Sequence, residues 1–160
     1  MPDRVIAALN LRHGQIVADI GAGTGYFSVR LAKTEAAPKV YVVDIEPSMV
    51  SYLRERGAKE ALKNMTAVQA AADQPNLPEP VDVILIVDAH HHIGDRENYF
   101  KKLAKPMRTG GHVAIIDFKP ESPEGPPQEF RFPATKIVSE MGNAGYRLVA
   151  QHDFCRDSIS

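Results

Sequence analysis

The segment Val17-Ala18-Asp19-Ile20-Gly21-Ala22-Gly23-Thr24-Gly25 sets a carboxylate and three alternating glycines at the end of an apolar run. Glycine takes positive φ without steric cost and lets a ligand approach the main chain closely. A helix-like stretch from Tyr26 to Ala36 follows at once. The whole therefore reads as a buried strand, a tight turn and a helix start, with the N–H groups of the turn aimed at a ligand. The spacing is G-x-G-x-G, and a dinucleotide fingerprint would need glycine where this chain has Tyr26. Asp19 would repel a pyrophosphate and favour a cationic amino group. The ligand these residues suit is a zwitterionic nucleoside without phosphate.

A second acid extends the pattern. Asp44 ends the β-branched run Lys39-Val40-Tyr41-Val42-Val43, nineteen residues after Gly25. In doubly wound folds an acid at the tip of the second strand receives the two ribose hydroxyls. Its other possible use is to cap the helix that begins at Pro47, but Glu46 is better placed for that. The third cluster, Asp88-Ala89-His90-His91-His92, follows the apolar run Val81–Val87. Consecutive residues in an extended stretch point to opposite faces, so the three histidines cannot form a metal site alone. One of them with Asp88 and Asp117 could hold a divalent ion. The alternatives are a general base, because imidazole titrates near neutrality, and simple packing at the start of the next helix.

These residues need a scaffold, and the alternation of the chain supplies one. Strands are predicted at Ile16–Ile20, Val40–Ile45, Thr66–Ala70, Val81–Val87, His112–Phe118 and Tyr146–Phe154. Helices are predicted near Asp3–Leu9, Tyr26–Ala36, Pro47–Glu60, Asp95–Met107 and Pro133–Ala144. Strand–helix alternation means an α/β, three-layer doubly wound and mainly parallel sheet, in which ligands bind beyond the carboxyl ends of the strands. The proline-rich stretch Pro120–Pro127 reads as a loop overhanging that cleft. With 160 residues the chain is expected to be a single domain, residues 1–160, large enough to need no staples. A net charge of −1 with both signs interspersed gives no electrostatic footprint for nucleic acid. The lone Cys155 excludes an internal disulfide and a cysteine-based metal cluster. No leader or membrane-spanning run is recognisable, which predicts a cytoplasmic protein.

On Val17–Gly25, the strand ending at Asp44 with Ile45-Glu46-Pro47-Ser48-Met49, the strand Val81–Val87, and Leu103–Asp117 with its Arg108-Thr109-Gly110-Gly111 turn, the chain resembles the class I S-adenosylmethionine-dependent methyltransferases. It looks most like the small bacterial members whose fourth strand ends in a His-His pair. The resemblance implies S-adenosylmethionine as cofactor, a zwitterion without phosphate. It would be bound by Asp19, Gly21, Ala22, Gly23, Gly25, Asp44, Ile45, Asp73 and Asp88. The adenine would lie at Ala71-Ala72-Asp73, and Asp88 would face the methionine end or be buried by hydrogen bonds. His91 and His92 match the His-His pair and are the candidate catalytic residues, as a base or as structure. Metal-dependent relatives need an Asp-Asn pair that this chain lacks, so no metal ligand is expected.

The acceptor is expected to be a small molecule, since the Asn/Asp-Pro-Pro-Tyr motif of DNA and glutamine methylation is absent after Val87. The alternative is a non-catalytic module of the same fold that binds the cofactor or a partner. The usual seventh strand is not recognisable, which would leave Tyr146–Phe154 and the outer side of His112–Phe118 unpaired. An unpaired edge calls for cover, and a homodimer through the C-terminal sheet edge is expected.

Overall fold

Valine and isoleucine in an unbroken run favour a strand covered on both faces. In the computed structural model of the protein, which describes residues 2–153, Val83, Ile84, Leu85 and Ile86 have no exposed surface. Each such side chain stabilises the fold by roughly 1.5–3 kcal/mol on burial. The strands are β1 (Ile16–Ile20), β2 (Lys39–Asp44), β3 (Met65–Gln69), β4 (Val81–Val87) and β5 (Met107–Ile116). The helices are α1 (Pro2–Leu9), α2 (Tyr26–Ala32), α3 (Pro47–Lys59), α4 (Arg96–Leu103) and α5 (Ala134–Asn143). The sheet is entirely parallel, in the order β3-β2-β1-β4-β5.

The period-two alternation of each strand divides the core into two layers. Ile16, Ala18, Ile20, Tyr41, Val43, Ile84 and Ile86 face Phe100 and Leu103 of α4. Val17, Val40, Val42, Val83 and Leu85 face Val5 and Leu9 of α1, Leu31 of α2 and Leu53 of α3. Strand β1 lies between β2 and β4, so the order reverses there, and this is the switch point where doubly wound sheets open a crevice.

Several boundaries shift from the sequence reading, α2 ending at Ala32 rather than Ala36 among them, and three further departures concern α4, β5 and the sixth strand. Helix α4 stops at Leu103 rather than Met107 because Pro106 disfavours helical backbone at the residue before it. The expected turn at Arg108–Gly111 is a bulge inside β5. Pairing jumps from Val81–Met107 to Val83–His112, and Gly110 takes φ +81° between them. The third correction is the sixth strand, which does not form at residues 146–153; Phe154 lies outside the described residues. Instead the segment is tied near both ends. The Tyr146 hydroxyl donates to the Phe100 carbonyl at 2.8 Å, and Lys119 pairs with Asp153 at 2.6 Å. Leu148 and Val149 between them are 54% and 80% exposed, so the segment buries too little apolar surface to be drawn into the ladder.

Candidate active site

Every predicted cofactor residue except Asp73 lies at the carboxyl ends of β1, β2 and β4. Gly21, Gly23 and Gly25 all have positive φ, at +73°, +57° and +82°. A Cβ at Gly21 would stand 2.5 Å from the Ala89 Cβ, so the turn after β1 packs directly on the segment after β4. A Cβ at Gly23 would meet nothing within 4 Å, which leaves open space over the middle of the turn.

Four N–H groups of this turn are taken up within the protein, where the glycines led to the expectation that they face a ligand. Gly21 and Ala22 donate to the Val43 carbonyl at 2.8 and 3.1 Å. Gly23 donates to Asp44 Oδ2 at 3.0 Å, and Gly25 donates to the Ala22 carbonyl at 3.0 Å. These bonds stitch the turn to β2. Arg56 on α3 donates to the Thr24 carbonyl at 2.6 Å and braces the turn from outside. No local pattern signals that contact, since Arg56 reads as a solvated helix residue.

Asp44 ends β2 almost buried, accepting from Gly23 with one oxygen and from the Glu46 N–H at 3.0 Å with the other. A carboxylate has about four lone-pair sites, so two remain for hydroxyl donors. Ile45 beside it is 49% exposed, an apolar side chain on the lip of the crevice. Asp19 is the more unusual acid. It is 2% exposed, its Oδ2 accepts from the buried Ser28 hydroxyl at 2.5 Å, and burial raises its pKa to about 6 despite that bond. Asp88 follows β4 with φ +51°, a left-handed conformation uncommon outside glycine, and its N–H donates to the Ile116 carbonyl of β5 at 2.8 Å. Asp73 is not drawn in with the others. Its side chain is 71% exposed with Lys102 Nζ at 3.9 Å, on a turn closed by the Ala71–Gln74 bridge.

The three histidines form one turn of 3-10 helix, His90–His92, and separate in three directions. His90 enters the core, fully buried between Phe100 and Phe132, with centroids 6.0 Å from each and neither ring nitrogen bonded. Loss of hydration lowers its pKa to about 4. His91 Nδ1 lies 3.4 Å from Asp117 Oδ2, and both side chains are almost wholly shielded. The His92 ring tilts against His91 at 4.2 Å and faces outward. Among the described residues no three His, Cys, Asp or Glu side chains group as a metal site.

The residues fit S-adenosylmethionine. A buried carboxyl at Asp19, which would meet a cationic amine, a second carboxylate at Asp44 with lone pairs for hydroxyl donors, and open space over Gly23 stand together. When bound, that cofactor supplies a methyl group on an electrophilic sulfonium. An open cavity of about 610 Å³, lined by Leu53, Gly57, Leu62 and Met65, lies at the amino end of β3.

Fold and crevice together define a class I methyltransferase domain. Residues 17–111 match the methyltransferase domain family, and the chain belongs to it, with S-adenosylmethionine as the cofactor of the class. It is 31% identical over 121 residues to the 27-O-demethylrifamycin SV methyltransferase of Amycolatopsis mediterranei, covering 74% of this chain and 44% of that one. It is 28% identical over 155 residues to the ubiquinone/menaquinone biosynthesis C-methyltransferase UbiE of Idiomarina loihiensis, covering 93% of this chain and 61% of that one. The chain thus spans about half the length of the curated relatives it matches. A crystal structure of a SAM-dependent methyltransferase from Aquifex aeolicus superposes with a TM-score of 0.85 at 28% identity, covering 93% of this chain and 81% of that one. No helix among the described residues is long and apolar enough to cross a membrane.

Proposed function

We propose that this chain binds S-adenosylmethionine in the crevice at β1 and β2 and transfers its methyl group to a small-molecule acceptor beside His91 and His92. The observation that carries the reading is the pairing of a glycine turn with two shielded carboxylates, Asp19 and Asp44. Gly21, Ala22, Gly23 and Gly25 shape the seat, and Asp19 attracts the methionine amine. Asp44 takes the ribose and Ile45 covers the adenine, which reaches toward Asp73 on the Ala71–Gln74 turn. Asp88 turns the chain at the methionine end. Alignment and exclusion of water are most of what such a transfer asks of a protein. His91 or His92 then serves an acceptor that must lose a proton. The relatives named above are a 27-O-demethylrifamycin SV methyltransferase and a ubiquinone/menaquinone biosynthesis C-methyltransferase, which supports a small-molecule acceptor for this chain.

Calorimetry with S-adenosylmethionine, S-adenosylhomocysteine and NAD in parallel tests the cofactor assignment, and an acceptor screen follows. Binding of the first two and not of NAD is expected; tight NAD binding overturns it. Cofactor binding with no turnover across a broad acceptor panel would favour a non-catalytic module instead. We also propose a cytoplasmic homodimer that covers Leu148, Val149 and the outer edge of β5, because that edge carries exposed apolar surface. Light scattering at micromolar concentration gives the mass directly, and a stable monomer refutes the dimer.

A further inference from the structure

We propose that Arg56 is a positioning residue for cofactor binding, holding the second half of the glycine turn and, through helix α2, the Ser28 hydroxyl against Asp19. The proposal rests on the methyltransferase reading above and adds to it a residue outside the crevice. Leu53, Arg56 and Glu60 recur at steps of three and four, so they share one face of α3 and its end. Leu53 is fully buried, and a Cβ at Gly25 would stand 2.8 Å from its Cδ2, so the start of α2 rests on this face. Arg56 Nη1 donates to the Thr24 carbonyl at 2.6 Å, and Nε donates to Glu60 Oε1 at 3.1 Å. Glu60 Oε2 accepts from Lys33 Nζ at 2.7 Å, and Lys33 caps the far end of α2. One guanidinium–carboxylate pair thus engages both ends of α2, a helix of seven residues.

What this pair controls follows from where the other bonds of the turn go. Gly21, Ala22 and Gly23 are tied to β2, whereas the Gly25 N–H returns to the Ala22 carbonyl of the same turn. Glycine loses more backbone freedom on ordering than any other residue, so a turn with three of them needs ties from outside. Arg56 supplies the tie to α3, and a bond from a charged donor is stronger than one from a neutral group. Helix α2 carries the consequence into the site. Ser28 lies in its first turn, wholly buried, and donates to Asp19 Oδ2 at 2.5 Å. A displacement of α2 by about 1 Å takes that hydroxyl to the limit of hydrogen bonding. Asp19 is the carboxyl that meets the cationic amine, so Arg56 acts on the cofactor through Thr24 and Ser28 without touching it. The Arg56 and Glu60 side chains are each 27% exposed, and ion pairs this near the surface contribute little to overall stability. Their effect is on position.

Calorimetry with S-adenosylhomocysteine tests this on the full chain. No binding by the wild type refutes the cofactor reading and the role of Arg56 with it. Given wild-type binding, Arg56→Ala should bind about five- to tenfold more weakly while its urea midpoint stays close to that of the wild type. Unchanged affinity in that variant overturns the proposal and leaves the cofactor reading standing. Arg56→Lys keeps a donor for Thr24 but not the fork that also engages Glu60, and it should recover affinity to within about threefold of the wild type. A lysine variant as weak as the alanine one overturns the positioning role. Ser28→Ala should weaken binding about fivefold by itself. Because Arg56 acts through α2, the double variant Arg56→Ala with Ser28→Ala should lose less than the product of the two single losses. Losses that simply multiply overturn the route through Ser28. Should Arg56→Ala lose its fold, Glu60→Gln decides, since it keeps the side-chain size and should weaken binding roughly two- to threefold. A folded Glu60→Gln protein with wild-type affinity refutes the proposal.

Discussion

Replacing Asp19 by Asn should change the way stability depends on pH, and the size of the change follows from two buried groups that oppose each other. Asp19 has its pKa raised from 3.8 to about 6, first by burial, with the Ser28 hydroxyl pulling the other way. Between those values the folded protein holds a proton that the unfolded chain has released. Stability therefore falls as pH rises through this window, by about 3 kcal/mol in all. His90 is the reverse case, depressed from 6.5 to about 4 by burial, so the unfolded chain binds the extra proton. Its contribution is present above the upper value and is lost as pH falls toward the lower, again by about 3 kcal/mol. The two slopes nearly cancel in the wild type. Asp19→Asn removes one of them, so urea unfolding from pH 4 to pH 7 should show the variant gaining about 3 kcal/mol relative to the wild type. The buried amide has its own cost, but that cost does not vary with pH and drops out when each protein is compared with itself. His90→Phe should show the opposite, a variant that loses stability as pH rises over the same range. Parallel pH profiles for wild type and Asp19→Asn would refute the buried-acid account. The same carboxyl is expected to release its proton when a cationic methionine amine arrives, so S-adenosylhomocysteine should bind more tightly as pH rises toward 6, and less tightly to the variant. Affinity that is flat in pH and unchanged by the substitution would separate Asp19 from the ligand.

Asp44→Ala is expected to weaken S-adenosylhomocysteine binding by about 1.5–3 kcal/mol for each charge-assisted hydrogen bond lost, and to free Gly23 from β2; calorimetry of the folded variant measures the first. Gly21→Ala should destabilise the fold by about 1–3 kcal/mol in urea unfolding, because its φ is positive and its Cβ would overlap Ala89. A Gly21→Ala protein as stable as the wild type would show that β1 and the segment after β4 separate easily.

The parallel sheet, the five helices and the strand-end positions of Asp19, Asp44 and Asp88 were legible in the chain itself. Their signals are local. A β-branched run, a glycine that must take positive φ and an acid at a strand tip each constrain only a few neighbouring residues, and the same physics acts before and after folding. The long-range pairings were not legible. Nothing near Asp19 announces Ser28 as its partner, and no local pattern shows that Val43 and Asp44 take up the N–H groups of the glycine turn. Three identical residues, His90, His91 and His92, became a core side chain, half of a dyad and an outward-facing ring, because one turn of 3-10 helix aims them at different surroundings. The partner of His91 lies twenty-six residues away on the next strand, where only the sheet order brings it near. The sixth strand failed for a related reason. Tyr146-Arg147-Leu148-Val149 carries adequate strand propensity, but whether it joins a ladder depends on a burying surface that local sequence does not describe. Sequence determined which residues could do chemistry; tertiary contact decided which of them face the crevice, which are shielded from water and which hold one another in place.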